Sequence, residues 1–87
     1  MNDALHTLAG ATLDQVQVDW RNGIVLISFL AAPNARAIRA MDFRTVAVPR
    51  SAGSARVTSA VVRDAALEIT MDSGERLRVE AASFALD

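Results

Sequence analysis

The chain has 87 residues and a mass of 9.3 kDa, near the lower end of what folds around one core, so a single domain over residues 1–87 is expected. Apolar residues make up 52% of it and charged residues 22%, a balance that excludes an intrinsically disordered segment. Net charge is −1 and cysteine is absent, which excludes a disulfide framework and thiolate metal ligation and points to a cytoplasmic protein.

Met1 to His6 lack the basic and apolar regions of a signal peptide, and the longest apolar stretch, Ile24 to Ala32, is interrupted by Ser28. It is too short to span a bilayer, so no membrane association is expected. All nine basic residues are arginine, and alanine is the commonest residue, the bias that GC-rich bacterial codons produce. Charge is uneven along the chain. Residues 1–32 carry one arginine against three acids, 33–63 six arginines against Asp42, and 64–87 two arginines against six acids.

In chain order, Asp3 is placed to cap a short helix running to Ala9 and closed by Gly10. From Thr12 to Leu30, two alternating runs flank Asn22-Gly23, the dipeptide favoured in two-residue type I′ hairpins. That turn predicts the pairs Trp20 with Val25, Val18 with Ile27 and Val16 with Phe29, all apolar and on one face. Ile24, Leu26 and Leu30 then form a second apolar face, to be covered by Leu5 and Leu8 of the N-terminal helix or by another subunit.

Ile38 to Val48 reads as a long irregular strand ended by Pro49. Ala55 to Arg63 reads as another, with Val57/Val61 and Ala60/Val62 competing for the inward side, and Asp64-Ala65 turns it into the next strand. Leu67, Ile69 and Met71 alternate with polar residues, as do Leu77, Val79 and Ala81. Parity here requires a three-residue loop, Asp72-Ser73-Gly74, pairing Met71 with Glu75, Ile69 with Leu77 and Leu67 with Val79, with Gly74 left-handed in a bulge.

Residues that carry chemistry are sparse. His6 is the single histidine and lies outside any triad or metal spacing. Gly10, Gly23, Gly53 and Gly74 fit turns and loops and match no phosphate-binding pattern. Asp72, Glu75, Asp19 and Glu80 meet no calcium or acid–base spacing and read as solvated carboxylates. Trp20, opposite Val25 in the predicted register, reads as core packing with an interface anchor as the alternative. Arg36, Arg39, Arg44, Arg50 and Arg56 form the candidate patch for an anionic partner, with Arg63 extending the basic stretch. The acidic C-terminal part offers these arginines neutralising partners across neighbouring strands.

Leu8-Ala9-Gly10-Ala11-Thr12-Leu13 leading into Val16-Gln17-Val18-Asp19-Trp20, the Val48-Pro49-Arg50-Ser51 break and the closing Leu67 to Val79 hairpin resemble small uncharacterised bacterial β-rich proteins of unknown function. The resemblance implies a β-rich fold and carries no activity onto any residue.

The expectation is therefore an all-β, mainly antiparallel meander of about six strands, forming a curved sheet or incomplete barrel with at most one short N-terminal helix. No catalytic, cofactor or metal site is expected. The leading functional reading is a non-enzymatic protein-interaction or assembly module, self-associating as a dimer through Trp20, Ile24, Leu26 and Leu30 or binding another protein. The alternative is a small nucleic-acid or acidic-ligand binder using residues 36–63.

Overall fold

The period-two alternation of apolar and polar side chains is realised as six strands in a computed structural model that describes residues 5–31, 34–49 and 55–86. These are β1 (Thr12–Asp19), β2 (Ile24–Ala31), β3 (Asn34–Ala47), β4 (Val57–Arg63), β5 (Ala66–Met71) and β6 (Arg76–Leu86). They form one antiparallel sheet in the order β1-β2-β3-β6-β5-β4. Two three-stranded meanders are thus joined through the β3–β6 pair, and the chain does not step from β3 to its next strand in sequence.

The sheet curls until its two edge strands meet at one corner. There Gly10 and Leu13 donate to the carbonyls of Val57 and Ala55, and Val57 N–H donates to the Ala11 carbonyl, at 2.7–2.8 Å. Beyond this corner the sheet is not closed into a barrel. The concave side holds the core: Leu13, Val25, Ile27, Phe29, Ile38, Val57, Leu67, Ile69, Leu77 and Val79 are buried with Leu5 and Leu8. In place of the expected helix, the described part of the N-terminus is a three-residue 3-10 turn, His6–Leu8. Asp3, its proposed cap, lies outside the described residues.

Three bulges reset which residues face inward. A register shift between Leu13 and Gln15 moves the inward set of β1 from Leu13 to Val16 and Val18. Another, between Val57 and Ser59, turns Ala60 and Val62 inward after Val57. That bulge settles the competition in β4, because the bulged residue lets both alternations be satisfied in turn. In β3, Asp42 at φ +55° and a shift between Phe43 and Thr45 carry the inward role from Ala40 to Phe43 and Val46.

The β5–β6 loop matches its expected form. Leu67 pairs with Val79 and Ile69 with Leu77, Met71 N–H donates to the Glu75 carbonyl at 2.9 Å, and Gly74 sits at φ +89°.

The β1–β2 turn differs from the expected two-residue form. Val18 pairs with Val25 and Val16 with Ile27, so the loop is Trp20 to Gly23, four residues long, and the register is displaced by two from the expected one. Of Asn22 and Gly23 only Gly23 has positive φ, which excludes a type I′ turn. The wider loop is held by its own polar groups: the Asp19 carboxylate accepts from Asn22 N–H at 3.2 Å and from Asn22 Nδ2 at 2.8 Å. A displacement of two preserves parity, so the inward and outward sets survive while Trp20 leaves the strand. The left-handed pair characteristic of a type I′ turn stands instead at Asp64 and Ala65, φ +52° and +61°, between β4 and β5.

Candidate interaction face on the outer side of strand β2

Because side chains alternate along β2, placing Val25, Ile27 and Phe29 in the core sends Ile24, Leu26, Ser28 and Leu30 to the convex outer side. The registers arrange this side in rows: Asp19–Ile24–Met41, Gln17–Leu26–Arg39 and Gln15–Ser28–Ala37. Ile24, Leu26 and Met41 are half-buried, and Leu30 is 54% exposed. The expected cover from Leu5 and Leu8 is overturned, since both side chains are fully buried in the core on the opposite face.

Trp20 is also placed differently from its core reading. It is 78% exposed and stands edge-on to Phe43, with ring centroids 5.4 Å apart. The four-residue loop expels it from the strand, and Phe43, which packs against the core, steadies it from one side. Gln17, Asp19, Trp20, Arg21, Ile24 and Leu26 line an open groove of about 740 Å³ between β1 and β2. The hydrogen bonds from Asn22 hold the Asp19 carboxyl below the usual carboxylate range, and the groove carries both this carboxylate and the Arg21 guanidinium on its lining.

The other half of the outer side is polar. Arg78 lies opposite Glu68 in the β5–β6 register and makes ion pairs of 3.5 Å with Glu68 and with Glu80. This Arg78 ladder joins residues of the C-terminal part to one another. The candidate arginines are dispersed. Arg36 reaches back to the N-terminal turn, its Nη1 donating to Thr7 Oγ1 at 3.1 Å. Arg39 is exposed in the Leu26 row, Arg44 is exposed at the β3 bulge, and Arg56 lies at the closing corner opposite Thr12. Arg50 lies outside the described residues.

His6 is exposed on the 3-10 turn. Glu75 interacts locally, its backbone N–H and carboxylate both within 3.4 Å of Ser73 Oγ. Among the described residues no helix is long and apolar enough to cross a membrane, and no group of three or more acidic or histidine side chains is placed to hold a metal ion. Compared with family models, curated proteins and solved structures, the chain matches none.

The alternation along β2 reveals Ile24, Leu26 and Leu30 in the sequence, whereas Met41 and the exposure of Trp20 carry no such local signal. Met41 joins the face only because β3 pairs with β2 in one particular register, which local alternation does not specify.

Proposed function

We propose that this chain is a non-enzymatic assembly module of the bacterial cytoplasm that pairs with a second copy of itself through the outer side of β2. The observation that carries the reading is the row of Ile24, Leu26 and Leu30, left without the N-terminal cover because Leu5 and Leu8 are spent in the core. Trp20 at the margin supplies the large aromatic surface that anchors interfaces. Full burial of aliphatic side chains of this size contributes about 1.5–3 kcal/mol each. Ile24 and Leu26 are already half-buried and Leu30 is 54% exposed, so about half of that remains to be gained, roughly 5–9 kcal/mol for three from each copy, within the range of the cost of immobilising two bodies.

A second copy is the occupant because the patch is apolar along β2 and carries opposite polarity on its flanks, which lets one surface complement itself. A two-fold pair uses each patch once and leaves no open end. Three strands about 4.8 Å apart and eight residues rising about 3.3 Å each make a face on the order of 14 by 26 Å, a small interface. The test is light scattering across a micromolar to millimolar dilution series. The particle mass rises from 9.3 kDa toward twice that value; a constant 9.3 kDa overturns the reading.

A further inference from the structure

We infer that in this pair the two-fold axis runs parallel to β2, so that Arg39 of each copy enters the groove beside Gln17 and Asp19 of the other. The inference rests on the self-association proposed above and adds the orientation and the polar contact that set it.

The outer side is convex across the strands, because the sheet curls around its core. Two convex faces touch over the greatest length when their strands are aligned, which leaves two arrangements. A two-fold axis parallel to β2 exchanges left and right, laying β1 of one copy over β3 of the other. An in-plane axis perpendicular to β2 instead lays β1 over β1 and β3 over β3.

The flanks distinguish the two. Gln17 and Arg39 sit at the same level on either side of Leu26, and both are exposed. Asp19, two residues from Gln17 on the same side of the strand, lies one row away opposite Ile24. With the axis parallel to β2, Leu26 stacks on its counterpart and Arg39 projects toward the partner's Gln17, with the partner's Asp19 one row off and within the reach of an arginine. The groove that receives it, about 740 Å³, is lined by Gln17, Asp19, Trp20, Arg21, Ile24 and Leu26, so the incoming guanidinium meets Gln17 and Asp19 on the strand side, with Arg21 on the loop beyond them. The second arrangement sets Arg39 against Arg39, a like-charge contact that opposes association. Arg21 on the β1–β2 loop and Asp42 of β3, which lies beside Gly23 of that loop, are opposite charges at one end of the sheet, and the parallel axis brings them to the same end of the interface.

The experiment measures the dimer dissociation constant by sedimentation equilibrium for the full chain and for variants at the two exposed positions. Gln17→Glu adds a carboxylate opposite Arg39 and tightens the dimer by about threefold or more, since two equivalent contacts change at once. Arg39→Glu weakens it by about tenfold, and Gln17→Arg combined with Arg39→Glu recovers most of that loss. Circular dichroism checks that each variant keeps its sheet. If Gln17→Glu weakens the dimer or leaves it unchanged, the orientation is overturned while self-association stands. A wild-type chain that stays monomeric at every concentration overturns both.

Discussion

Trp20 stands edge-on to Phe43, ring centroids 5.4 Å apart and planes inclined by 64°, an aromatic contact made by an indole that is 78% exposed at the tip of the β1–β2 hairpin. Fold and interface therefore draw on this residue very differently. Trp20→Ala loses an aromatic contact of about 0.5–1.5 kcal/mol from the monomer. Its effect on self-association is larger, tenfold or more in the dissociation constant, as expected of an aromatic anchor. Urea unfolding at low protein concentration and sedimentation of the same variant separate the two, and an unchanged dissociation constant removes Trp20 from the interface.

Asp64 and Ala65 form the tight β4–β5 turn with both residues left-handed, although Ala65 bears a Cβ in a conformation that costs an L-residue about 1–2 kcal/mol. Ala65→Gly relieves that strain, partly offset by the greater freedom of glycine in the unfolded chain. The net expectation is stabilisation of about 0.5–1 kcal/mol, seen as a higher urea midpoint with an unchanged slope. A lower midpoint contradicts the left-handed pair.

The converse holds at Gly74, φ +89°, where a Cβ would meet no atom within 4 Å. Space is therefore not the obstacle, and the cost of Gly74→Val is conformational, about 1–2 kcal/mol. Coincident melts of variant and parent would show that residue 74 is not left-handed.

The β5–β6 hairpin and the β1–β2 hairpin show what local sequence encodes and where it stops. In the first, the alternation of Leu67 to Met71 and Leu77 to Ala81 admits one register once Gly74 takes the bulge, and the structure has that register. In the second, Asn22-Gly23 suggested a two-residue turn. The Asp19 carboxylate recruits Asn22, and the Gly23 carbonyl accepts from Phe43 N–H at 3.2 Å. The second of these contacts comes from β3, so no reading of residues 12–30 alone contains it. The burial of Leu5 and Leu8 is equally non-local, since it depends on β4 returning to meet the start of β1. The apolar outer face was legible because a shift by two residues preserves parity; its uncovered state was not, because that depends on where the N-terminal turn docks.

Asn22 also holds the Asp19 carboxyl ionised to lower pH than usual. A depressed folded value means that this contribution to stability is present above the ordinary carboxylate range and is lost as pH falls through the folded value. Asn22→Ala removes the main cause, so the Asp19 side-chain titration, followed by the carboxyl carbon chemical shift, moves back up toward the ordinary value. A titration unchanged by the substitution contradicts the assignment of the turn contact.

In the proposed pair the outer side of β2 is buried against a second copy, and Leu26, midway between Gln17 and Arg39 in its row, lies at the centre of that face. Leu26→Glu places a carboxylate there and opposes its own counterpart across the axis. Sedimentation equilibrium of wild type and Leu26→Glu at matched concentrations, with circular dichroism on both, is the most direct measurement. Wild type is expected to form a concentration-dependent dimer and the variant a folded 9.3 kDa monomer. A folded variant that dimerises as tightly as wild type contradicts the proposed pair.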